Sequence, residues 1–195
     1  MTFLFRKLVP LLLLLLSMSK VHAMSVLPMY LDDIVHDAAV AFEGECIGNR
    51  SEMDAKMGVV VTYTTFKVTE VLKGKLEATH TIKQLGGIAS GQMYRLPGMT
   101  TFVEGAPYVV FLYGISNAGF SSPVGLSQGQ FTIRESAGGK ELSNGRDFKD
   151  MLRPEAVDRL PQKVKKGVQQ PLSPLSHVGL IDFKQMVRQL GGLAP

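Results

Sequence analysis

Val59-Val60-Val61-Thr62-Tyr63-Thr64-Thr65-Phe66-Lys67-Val68-Thr69-Glu70-Val71-Leu72 is the stretch whose character sets the fold class. β-Branched and aromatic residues fill it until Lys73-Gly74-Lys75 breaks the run, so it reads as one long strand ended by a turn. The polar stretch Asn49 to Lys56 before it reads as a loop. Further upstream, Val40, Phe42, Gly44 and Cys46 alternate with Ala41, Glu43, Glu45 and Ile47, the period of a strand with one buried face. Cys46 is expected to point inward, and Glu43 and Glu45 to lie on a solvated outer face. Ahead of that strand, Leu27, Leu31, Ile34, Val35 and Ala38 recur at helical spacing, predicting a short amphipathic helix.

Downstream, a third strand over Thr79 to Gln84 stops at Gly86-Gly87. The glycine-rich segment to Gly98 reads as a long loop or irregular hairpin that offers Met93, Tyr94 and Arg95 to a partner. Glu104-Gly105-Ala106-Pro107 is a turn, and Tyr108 to Tyr113 is apolar on both faces, the mark of a central strand. Strands over Pro123 to Ser127 and Gln130 to Arg134 follow, and Gly138-Gly139 turns the chain into a short strand near Glu141. One helix followed by many short strands, with no βαβ alternation, predicts a mainly β protein: an OB-like antiparallel barrel over residues 24–148. Closure would hide strand edges that otherwise invite aggregation.

Residues 149–178 carry Pro154, Pro161, Pro171 and Pro174 with Lys163, Lys165 and Lys166, and read as a basic, proline-rich linker whose lysines are candidate contacts. Residues 179–195 read as a C-terminal amphipathic helix, with Leu180, Phe183, Val187 and Leu190 on one side and Gly191-Gly192 at its end. It either docks on the barrel or presents a binding face.

At the other end, Arg6 and Lys7 precede the apolar run Leu8 to Leu16, and Val21-His22-Ala23 supplies the residues that signal peptidase reads. Residues 1–23 are therefore expected to be a signal peptide cleaved after Ala23, because a membrane span needs about 20 apolar residues and this run is about half that. The protein is expected to be exported, periplasmic or extracellular, with no membrane span after cleavage. Removing Arg6, Lys7 and Lys20 from the 21 basic residues leaves 18 against 17 acidic ones, so the apparent basicity departs with the signal. Residues 24–148 hold 10 basic and 13 acidic residues, and 149–195 hold 8 and 4. A mildly acidic folded part lacks the dense positive face that phosphate backbones require, which sets nucleic-acid binding aside. Cys46 is the single cysteine, so no intrachain disulfide forms and stability rests on a hydrophobic core.

The order AAVAFEGECIG, TYTTFKVTEVLKG, THTIKQLGG and FVEGAPYVVFLYG, over residues 38 to 114, resembles the netrin-like module, the OB-type barrel of tissue inhibitors of metalloproteinases. The resemblance implies a barrel and a role beside a secreted protease. In those inhibitors the amine and carbonyl of an N-terminal cysteine grip the protease zinc; here the expected mature start is Met24 and Cys46 lies within a strand, so that device does not carry over. The short helix, the Lys-Gly strand and the Gly-Leu-Ser-Gln-Gly-Gln-Phe segment also resemble a group of exported bacterial proteins.

Gly125-Leu126-Ser127-Gln128-Gly129 fits the G-x-S-x-G pattern, and Asp147 and His177 follow in hydrolase order. A nucleophile elbow needs a helix after the serine, whereas Gln130 to Arg134 alternates as a strand, so a hairpin turn is the expected role. His36, His80, His177 and Cys46 lack the spacing that presents two metal ligands together, so neither a metal nor another cofactor is expected. Glu43 and Glu45, two residues apart, suit a solvated strand face better than paired acid–base chemistry. Asn49-Arg50-Ser51 fits the N-glycosylation pattern, which matters only in a eukaryotic secretory route. Three functions stay open: a non-enzymatic binding module for another exported protein such as a protease, a serine hydrolase using Ser127, Asp147 and His177, and a structural envelope component.

Overall fold

A computed structural model describes residues 26–170 and 173–192. The signal segment 1–23, the cleavage site after Ala23 and the start at Met24 lie outside the described residues, as do residues 193–195. The chain is mainly β. A short helix, α1 (Leu31–Asp37), leads into β1 (Val40–Met53), β2 (Val60–Lys73) and β3 (Thr79–Leu85). A small hairpin, β4 (Gly87–Ala89) and β5 (Gln92–Tyr94), precedes β6 (Pro107–Leu112), β7 (Gln130–Ser136) and β8 (Gly139–Ser143). The tail holds α2 (Gln162–Val168), β9 (Val178–Gly179) and α3 (Leu180–Leu190). No helix among the described residues is long and apolar enough to cross a membrane.

Seven strands form one antiparallel sheet in the order β3-β2-β1-β6-β7-β8-β9. β6 is the middle strand, as its two apolar faces require: Tyr108, Val110 and Leu112 enter one core, Val109 and Phe111 the other. The expected barrel is not closed, and β3 and β9 are the two edges of the sheet. Closure is unnecessary because the edges are managed otherwise: β9 is two residues long, and Ser121 donates its amide to the Lys83 carbonyl on β3.

Three register shifts between β1 and β2 bend the sheet, since each bulge adds local twist. On one face Phe42, Phe66, Phe102 and Tyr108 form a chain of edge-to-face rings, 4.8–5.3 Å between centroids, with Cys46 buried beside them as expected. The other face is covered by α1 and α3. Leu31, Ile34 and Val35 of α1 and Phe183, Met186 and Val187 of α3 pack there with Phe111, Phe131 and Phe148.

Besides the open sheet, sequence and structure part company at four places. Residues 149–170 and 173–178 are packed rather than loose: Met151, Leu152, Leu160, Val164 and Val178 all join the core. The prolines start helical turns instead of preventing them, Pro154 in the 3-10 turn Pro154–Arg159 and Pro161 as the residue capping α2, where a missing N–H is harmless. β1 runs on through Asn49 to Met53, held to β2 by Ser51–Thr62 and Asn49–Thr64 hydrogen bonds and by Arg50 over the Tyr63 ring. The strand expected over Pro123 to Ser127 reduces to one bridge, Leu112 to Pro123, and a 3-10 turn, Leu126–Gly129. Glu43 is 8% exposed, because α3 lies over that part of β1 and supplies Lys184 to it.

Candidate functional site

Inward-facing positions on β2 and β3 change character along the strands. Phe66 and Ile82 fill the middle of the concave face, while Thr62, Thr64 and Gln84 lie toward one end of it. Beyond that end the chain turns back at Gly86-Gly87, both at positive φ, and a Cβ on Gly87 would stand 2.4 Å from the Thr62 hydroxyl. Only this glycine pair lets the β4–β5 hairpin fold so close over the strand ends. Between hairpin and sheet is a cleft of about 250 Å³.

Its polar floor is tightly bonded except at one residue. Thr62 donates to the Gly86 carbonyl at 2.7 Å, so the 2.8 Å contact between Ser51 and Thr62 has Ser51 as donor. Thr64, 1% exposed, donates to Asn49 Oδ1 at 2.7 Å, and Asn49 Nδ2 donates to the Phe102 carbonyl at 2.9 Å. Gln84 is 3% exposed, and its one side-chain hydrogen bond among the described residues runs from Nε2 to the thioether of Met99 at 3.5 Å, a weak acceptor. The wall over Met99 to Val103 is pinned: Thr100 donates to Gln130, Gln130 Nε2 donates to the Thr101 carbonyl, and the Val103 amide donates to the Tyr108 hydroxyl. The hairpin opposite is exposed, with Ile88 63% and Met93 66% accessible and Tyr94 beside them. Arg95 is the one charged residue lining the cleft.

Of the contacts expected from sequence, Met93, Tyr94 and Arg95 thus sit together on β5 and its exit. Lys163, Lys165 and Lys166 are elsewhere, on α2, which packs through Val164 into the opposite core, and Lys165 pairs with Asp158 at 2.7 Å. The residues that sequence reasoning passed over are Thr64, Gln84 and Phe102. For Thr64 and Gln84 the signal was an uncharged polar group two residues from Phe66 and Ile82 on the same strand; Phe102, outside the strands, carried none.

Ser127, Asp147 and His177 do not form a hydrogen-bonded triad among the described residues. Ser127 is exposed on a 3-10 turn followed by β7, and the residue held at positive φ is Leu126 rather than the serine. Asp147 Oδ1 accepts the amides of Lys149 and Leu175, both at 3.0 Å, capping one turn and fastening the tail. His177 Nε2 is buried without a hydrogen-bond partner among the described residues.

At the opposite end of the concave core, a cavity of about 420 Å³ has His80 in its lining. The ring packs edge-on against Phe42 at 5.8 Å, and burial holds its pKa below the ordinary histidine value. Cys46 lies deeper, its thiol pushed up by burial despite contacts with the Gly48 carbonyl and Asn49. Among the described residues no group of three or more His, Cys, Asp and Glu is placed to hold a metal ion. No protein-family model, curated protein or solved structure matches the chain.

Proposed function

We propose that the protein is an exported, non-enzymatic β module that binds another exported protein through the β4–β5 hairpin and the cleft beneath it, regulating or accompanying a secreted enzyme such as a protease. The observation that carries this reading is the contrast between Met93 and Gln84. Methionine and isoleucine side chains on a two-stranded flap stand in solvent while an underpaired carboxamide lies buried beneath them. Exposed apolar groups around a concave polar site favour an interaction surface. The sequence motivates the export half of the reading through Arg6, Lys7, the leucine run and Ala23.

Crosslinking in the native envelope or medium tests the class of function. Recovery of one discrete exported protein supports the module; recovery of repeated copies of this chain or of wall polymer assigns it to the envelope structure instead.

A further inference from the structure

We propose that the cleft accepts one aliphatic side chain of a peptide segment whose next residue carries a carboxylate, the aliphatic group lying against Leu96, Met99 and Phe102 and the carboxylate meeting Arg95. This rests on the reading of the protein as a binding module and specifies what the partner presents.

Size selects the insert. Pockets for drug-sized ligands run from about 300 to 1,000 Å³. At about 250 Å³ the cleft suits a single residue. Charge selects its neighbour: Arg95 is exposed, is the only charged lining residue, and faces no acidic residue in the lining. A guanidinium so placed favours a carboxylate by its fork of donors. Gln84 selects the main chain. Its N–H···S contact is a poor substitute for an N–H···O bond, so a peptide carbonyl entering the cleft exchanges a weak acceptor for a strong one. The pinned wall from Met99 to Val103 keeps the apolar side of the cleft in place before binding, which limits the ordering cost.

The test is an amide-resolved NMR titration of the purified protein with three blocked dipeptide amides: leucine-aspartate, leucine-asparagine and serine-aspartate. The expected result is saturable shifts at Thr64, Gln84 and Phe102 with leucine-aspartate and none with serine-aspartate. Leucine-asparagine is expected to bind about threefold more weakly, the worth of one partly solvated ion pair. Arg95→Gln should bring the two leucine peptides level. Absence of saturable shifts at those residues up to about 10 mM, or equal response to all three peptides, overturns the proposal. The module reading has a separate readout in partner capture by hairpin variants. Capture that depends on the hairpin without any dipeptide response removes the cleft chemistry alone. Dipeptide binding at the cleft without a captured protein supports the cleft chemistry and removes the module reading.

Discussion

Lys184 of α3 forms an ion pair with Glu43 of β1, joining the C-terminal helix to the first strand. Glu43 stands opposite Glu70 in the β1–β2 register, so two carboxylates share one patch. The same ammonium lies 2.5 Å from Glu70, and Arg188 reaches Glu70 at 2.9 Å. α3 therefore covers the sheet with Phe183, Met186 and Val187 and neutralises the one acidic position it buries.

Removing one partner leaves the other buried without compensation. Lys184→Ala should lower stability by about 3 kcal/mol in urea unfolding, and Glu43→Leu combined with Lys184→Met should recover most of it. Deleting residues 175–195 should cost far more, since the helix is core. An unchanged midpoint for Lys184→Ala would show that the pair is solvated.

His80 makes stability depend on pH. Its folded-state pKa lies below the ordinary 6.5, so the unfolded chain takes up the proton first as pH falls. Its contribution is present above 6.5 and is lost as pH drops from there through the lowered folded value. Lys75 and Glu77 line the same cavity, and the Asp54–Lys83 pair, which lowers the Asp54 pKa, acts in a more acidic window. Urea midpoints from about pH 7.5 to about 5 should fall for the wild type and fall less for His80→Leu; parallel curves would assign the dependence elsewhere.

Gln84 should separate stability from binding. An underpaired buried carboxamide contributes little to folding, so Gln84→Leu should leave stability unchanged or raise it by about 1 kcal/mol while abolishing the leucine-aspartate response. A loss of several kcal/mol would mean that Gln84 is well satisfied and structural.

Ser127 should be inert. A fluorophosphonate probe is expected not to label the protein, and Ser127→Ala should change stability by less than about 0.5 kcal/mol, as for other exposed polar residues. Labelling that disappears in Ser127→Ala would restore the hydrolase.

The strand pattern was legible because period-two alternation and glycine turns are local. Val60 to Lys73 and Tyr108 to Leu112 emerged nearly as read, and the second also gave its central place through two apolar faces. Burial set by distant chain was not legible. Glu43 looked solvated because the helix that covers it begins at Leu180. The prolines at 154 and 161 signalled a linker because composition does not distinguish a proline that breaks a helix from one that begins it. In the site, Met93, Tyr94 and Arg95 were found by exposure, whereas Gln84 needed the register with Thr62 to show which face it was on.

The hairpin carries the central claim. The most direct measurement is affinity capture from an extracytoplasmic fraction of the native cell, the compartment proposed above, with the wild type beside Met93→Asp/Tyr94→Asp, after unfolding curves establish that the two are equally stable. One discrete protein should be retained by the wild type and lost from the variant. The same proteins retained by both would contradict it.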